Sequence, residues 1–259
     1  MSRHELDTLH INATLTALKA RRELSPGTLN LYLSAIKGVF EQGWKARLIS
    51  FENHQRISAI PHYKGKRVKL KEKHLTPRLV AKLIDDASSA ETLTGYRNAA
   101  VIGLMAYCGL RRDEVASLRV SDIDLDNGEM LIRGKGDKER LGFLNEDASR
   151  LLATWLNTFE MIPIYAFFKL HKHNRFVEDK SKLSGNAIYN IVKRHGNNVG
   201  LPNLHPHELR SYFGTTLIDN GVDIVAVRDL MGHESFATTE IYIRRDKDKL
   251  RTAVSRLQA

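Results

Sequence analysis

Arg111 and Glu114 lie three residues apart in "CGLRRDEVASL", and His207 and Arg210 are spaced the same way in "HPHELRSYFGTTL". Lys135 stands between two glycines in "RGKGDKER", and His233 and Tyr242 share "LMGHESFATTEIYIRR". Each fragment has an ordinary reading: an Arg–Glu helix pair, a surface His–Arg pair, a solvated lysine at a hairpin tip, a half-buried tyrosine. Gathered in one place, the same residues could work on a phosphate. An arginine offers a planar fork that grips phosphate oxygens bidentately. Two such forks would neutralise the charge that builds on a pentavalent transition state. His207 and Arg210 share a helix face, near a helix start whose backbone N–H groups also favour anions. Arg111 follows an apolar run, where an unpaired guanidinium is costly, and Glu114 could orient it. Free tyrosine has a pKa near 10, so only about one in a thousand is ionised at neutral pH. A cationic pocket with a nearby histidine eases deprotonation and favours attack on phosphorus. Tyr242 is therefore a nucleophile candidate, with Tyr212 the first substitute.

The bulk composition agrees with a phosphate-bearing partner. The chain has 259 residues, a net charge of +10 and a pI near 9.7. A cationic surplus of that size suits a polyanion, because neutralising phosphates releases condensed counterions. No strongly amphipathic basic helix with a wide apolar face favours a membrane surface instead, and no apolar run is long enough to span one. The start, "MSRHELDTLH", lacks the apolar core of a signal peptide. Cys108 is the only cysteine, which excludes disulfide scaffolds and multi-cysteine metal sites. Set in "VIGLMAYCGL", it reads as a small buried hydrophobe. A cytoplasmic location fits.

Those residues need elements to position them. Residues 5–22 read as a helix, and Ser25 with Pro26 starts a second. Leu29, Leu33, Ile36 and Phe40 make its buried stripe, leaving Lys37 and Lys45 on other faces as candidate DNA contacts. The helical pattern breaks over 50–74, where six Lys/Arg stand against one Glu between Pro61 and His74. Lys64, Lys66, Arg67 and Lys69 in that basic linker are placed to follow a phosphate backbone, although a solvated loop would look the same. Thr76–Pro77 starts the next helix, and 98–110 reads as a buried one. "DIDLDNGEMLIRGKGDKERLGFL" alternates and turns twice, as three short antiparallel strands do. Helices are expected again over 146–160, 184–198 and 206–220, and from Asp223. The expected fold is mainly α with a small antiparallel β-sheet (α+β). It comprises a short helical domain over 1–60, the basic linker over 61–74 and a larger domain over 75–259.

In order and spacing these segments resemble the tyrosine recombinases, the phage-integrase and Xer group of site-specific DNA recombinases. "GLRRDEVASL" resembles the first arginine box, "GKGDKER" the β-turn lysine, "HPHELR" the second box and "LMGHESFATTEIYI" the last. The resemblance implies that the N-terminal helices bind core DNA and form a clamp on the duplex with the catalytic domain. Tyr242 would cut one strand, leaving a 3′-phosphotyrosyl link and a free 5′-hydroxyl. Lys135 would protonate the leaving oxygen, His207 would assist the proton transfers and His233 would hydrogen-bond the phosphate. The link conserves the energy of the phosphodiester, so no ATP, metal or other cofactor is implied. The partner implied is double-stranded DNA with short core sites, bound as a tetramer on two duplexes. The C-terminal segment 247–259 would be exchanged between protomers. Ser211 stands where the family usually has a second histidine, and the N-terminal domain looks about one helix short.

Related possibilities are a type IB topoisomerase, which uses similar chemistry as a monomer, and a non-catalytic DNA-binding accessory of the same fold. The full set of arginines, lysine, histidines and tyrosine argues against the second. A metal-dependent nuclease would need carboxylate clusters that the sequence does not offer.

Overall fold

The computed structural model of the chain describes residues 8–22, 24–64, 75–134, 136, 138–171, 175–176 and 181–232. Two compact units divide the chain, Met1–Glu72 and Lys73–Ala259.

The first unit has helices α1 (Thr8–Arg22), α2 (Pro26–Lys45) and α3 (Phe51–Ser58). α2 begins where expected: the Ser25 hydroxyl accepts the Thr28 N–H at 3.2 Å, and Pro26 needs no donor at the first helical position. Leu29, Leu33 and Phe40 are buried with Ile11 and Leu15 of α1 and with Ile57 and Ile60. α3 lies inside the stretch where the helical pattern was expected to break. Ser50 caps it by accepting the Asn53 N–H at 3.2 Å, and only Ile57 is buried. One apolar contact in eight residues leaves no periodicity to read. Lys37 ties α2 to this helix, its Nζ donating to the carbonyls of Ser58 at 2.7 Å and Ile60 at 2.6 Å. The Lys37 ammonium thus fastens α2 to the end of α3.

The second unit is mainly helical around a small sheet. It runs α4 (Pro77–Ser88), α5 (Leu93–Tyr107), α6 (Arg112–Ser117), β1 (Ile123–Asp124), β2 (Glu129–Arg133), β3 (Glu139–Phe143), α7 (Glu146–Leu156), α8 (Gly185–Asn198), α9 (Pro206–Asp219) and α10 (Ile224–Met231). The sheet is antiparallel in the order β1-β2-β3, with Ile123 opposite Met130 and Leu131 opposite Leu141. α5 is the central helix, packed against α4, α7 and α9. It starts earlier than its apolar run, at a cap where Thr92 accepts the Gly95 N–H at 3.1 Å. Cys108 ends it, and burial pushes its thiol up to about 12. α7 stops at Leu156 and the chain turns back, so that Ala166, Phe167 and Phe168 fill the core. Trp155 Nε1 fixes that return by donating to the Ala166 carbonyl at 2.7 Å.

A buried polar network joins α4, α5 and α8. Asn98 Oδ1 accepts from Arg97 Nε at 3.2 Å and Nη2 at 2.9 Å, so its amide nitrogen faces His195 Nε2, at 3.1 Å. His195 Nε2 must accept from that amide, which puts the imidazole proton on Nδ1, donating to Asp86 at 2.6 Å. Arg97 also donates to the Phe168 carbonyl at 3.2 Å. Burial, with the nearby Arg194 charge, lowers its pKa to about 10.

Candidate active site

Glu114 is the centre of the described site. It sits in the first turn of α6, nearly enclosed, and Arg111 is the residue that caps that helix. One Glu114 oxygen accepts the Arg111 backbone N–H at 2.7 Å and the other accepts Arg111 Nη1 at 2.7 Å. Arg140 of β3 meets the same carboxylate fork to fork, Nη1 at 2.9 Å and Nη2 at 3.0 Å. Arg210 of α9 brings Nη1 within 3.8 Å of it. Burial raises the Glu114 pKa, but the Arg140 hydrogen bonds and charge, then the Arg111 bonds, outweigh it and hold the carboxyl below its usual range.

The three guanidiniums have a second common target. Arg140 Nε donates to the Leu230 carbonyl at 3.1 Å, Arg210 Nη2 to the Met231 carbonyl, and Arg111 Nη2 to the Gly232 carbonyl at 3.0 Å. These are consecutive carbonyls at the end of α10, which have no acceptor role left inside the helix and carry the negative end of its dipole. Cations are the natural partners there. Gly232 closes α10 in the left-handed region, φ 58° and ψ 48°, which glycine reaches without strain. The next residue is His233.

Arg210 also donates Nη1 to the Gly109 carbonyl. Gly109 has φ +66°, and a Cβ there would come within 2.4 Å of the Phe213 ring. Backbone and α9 can approach so closely only because that residue is glycine. The arginines differ in access: Arg111 is 44% exposed, Arg140 13% and Arg210 4%. Arg111 is therefore the solvent-facing member of the cluster, and Arg210 is held deep by two backbone carbonyls.

His207 lies exposed on α9, three positions before Arg210, and Ser211 is half-buried. At the start of the helix the Glu208 carboxylate accepts the His205 N–H at 2.6 Å. Tyr212 is half-buried against the main core. In the first unit, Lys45 pairs with Glu41 at 2.6 Å, and Lys64 is exposed. Lys66, Arg67, Lys69, Lys135, His233, Tyr242 and the segment 247–259 lie outside the described residues. On either side of Lys135 in the sequence, the Gly134 N–H donates to the Lys138 carbonyl at 2.7 Å. Among the described residues no three His, Cys, Asp or Glu side chains are grouped to hold a metal ion, and no helix is long and apolar enough to cross a membrane.

Arg140 is the site residue that the sequence did not reveal. In β3 the apolar Leu141 and Phe143 face outward, and Arg140 and Gly142 face in, so simple alternation assigns the strand's faces the wrong way round. Gly142 is the available signal. A Cβ there would meet Ile132 at 2.4 Å, and a glycine inside a strand marks close approach.

The model of the phage integrase family matches residues 73–249. Tyrosine recombinase XerC of Alcanivorax borkumensis is 31% identical over 242 residues, 92% of this chain and 76% of that protein. Tyrosine recombinase XerA of Pyrococcus horikoshii is 29% identical over 231 residues, 88% of this chain and 73% of its own length. The structure of XerH site-specific recombinase bound to difH substrate, a pre-cleavage complex, superposes with a TM-score of 0.73 at 26% identity. It covers 100% of this chain and 72% of that one. The Tn1549 transposon integrase, at 17% identity and a TM-score of 0.71, shares the fold.

Proposed function

This chain belongs to the phage integrase family, the tyrosine recombinases, and on that footing we propose that it cuts and rejoins duplex DNA at short core sites through Tyr242. The observation that carries the proposal is the convergence of Arg111 and Arg210 on Glu114, at the end of the helix that leads into His233. XerH, in the complexes that its structures describe, is bound to its difH substrate before and after cleavage.

In this scheme Arg111 and Arg210 neutralise the scissile phosphate as Tyr242 attacks phosphorus. The tyrosine oxygen forms the new P–O bond and the 5′-oxygen leaves, taking its proton from Lys135. His207 relays protons and His233 donates a hydrogen bond to the phosphate. The 3′-phosphotyrosyl ester keeps one ester bond for the one broken, so attack by another 5′-hydroxyl reverses the step without ATP. Two duplexes are joined in a tetramer, with residues 247–259 exchanged between neighbours. Lys64, Lys66, Arg67 and Lys69 follow the phosphate backbone.

The test begins by selecting a core site from random duplexes and building a version nicked beside the cleavage point. Wild-type protein in EDTA should become covalently attached to the 3′ end, and Tyr242→Phe should bind the duplex without attaching. Attachment that needs added magnesium, or that survives in the Phe variant, contradicts the scheme. Deleting 247–259 should spare single-site binding and abolish complexes of four protomers on two duplexes.

A further inference from the structure

Arg140 has no step in the chemistry above, yet each nitrogen of its guanidinium is engaged within the site. Nη1 and Nη2 take one oxygen each of Glu114, and Nε takes the Leu230 carbonyl. One side chain thereby joins β3, α6 and the end of α10. We propose that Arg140 is a positioning residue for strand cleavage: it fixes the plane of the Glu114 carboxylate and the end of α10, so that Arg111 and Arg210 are presented to the scissile phosphate. This rests on the recombinase function proposed above.

Three features support it. A carboxylate has about four acceptor positions, and the Arg140 fork takes one on each oxygen. That leaves the others aimed at the Arg111 backbone and guanidinium. Without a bidentate partner the terminal torsion of a glutamate is broad, and the Arg111 guanidinium would follow it. Second, Arg140 packs directly on Gly232, where a Cβ would stand 3.0 Å from its Cδ, so nothing separates it from the backbone that leads into His233. Third, the Arg140 side chain is enclosed and faces inward from β3, as a residue does that acts through its neighbours.

Lysine at this position keeps the charge and loses the fork, so Arg140→Lys separates positioning from charge. Arg140→Lys, Glu114→Gln and the double variant would be compared with the wild type on the nicked duplex. Single-turnover attachment rates would be read at saturating protein beside equilibrium binding, with thermal melts to establish folding. Arg140→Lys should attach about 10- to 100-fold more slowly while Kd changes by about twofold or less, as for partners that orient the ligands of a metal site. The double variant should be no slower than Glu114→Gln, because both lesions act through one carboxylate. Full-rate attachment by Arg140→Lys, equal losses in binding and rate, or multiplying losses in the double variant would each overturn the proposal. Failure of the wild type to attach at all would overturn the functional scheme and this inference with it.

Discussion

Glu114 answers to three cations at once, and its loss should be felt as both stability and rate. Replacing it with glutamine leaves Arg210 and Arg140, both enclosed, without their carboxylate. Breaking a buried pair in this way costs about 3 kcal/mol or more. The carboxyl is held below its ordinary pKa, chiefly by Arg140 against the opposing effect of burial. A depressed folded pKa stabilises the protein above the unfolded value and loses that stabilisation as pH falls through the folded one. Glu114→Gln should therefore melt well below the wild type at pH 7, and the gap should close as pH drops beneath the usual carboxylate range. Melting curves of the two proteins from pH 7 to pH 3 check this; a constant gap would show that charge at this position is not what stabilises the site. Both members of the Arg111–Glu114 pair were legible from their spacing after an apolar run. Arg140 was not, since its contacts are made across the fold and its strand hides them behind outward-facing Leu141 and Phe143.

At the scale of elements, the buried network through Asn98 adds polar links between three helices that already share the main apolar core. Asn98→Ala removes the acceptor of two Arg97 hydrogen bonds and the donor to His195. Leaving a buried charged group short of partners costs about 2 kcal/mol, which urea unfolding would register as a lower midpoint. A midpoint within error of the wild type would mean that Arg97 finds another acceptor. Helices with capping residues and a clear apolar stripe, α2 and α4 among them, were readable because local chemistry and burial agree there. The hairpin was readable from its turns, marked by glycines between alternating runs, although the faces of β3 run against that alternation. α3 was invisible because a single buried Ile57 in eight residues sets no period. The return of 166–168 into the core was equally hidden: Phe167 and Phe168 are buried by distant partners, and Trp155 fixes them through one backbone carbonyl.

Across the whole molecule, a charge of +10 predicts DNA affinity that falls steeply with salt, each neutralised phosphate adding about −0.9 to the slope of log K against log salt. The lysines of the first unit should contribute unequally. Lys64→Gln should reduce that slope by about 1, as for any phosphate contact. Lys37→Gln should leave the slope alone and lower the melting temperature, because its ammonium holds the end of α3. Titrations at several salt concentrations with each variant distinguish the two, and a shallower slope for Lys37→Gln would return that residue to the DNA surface. The central claim, that this family member cleaves through Tyr242, is tested most directly by the covalent complex itself. Attached to a nicked duplex and digested with nuclease and trypsin, the protein should carry its nucleotide remnant on the peptide spanning 229–244, which mass spectrometric fragmentation would place on Tyr242. A remnant on the peptide spanning 211–228, which holds Tyr212, would contradict the account.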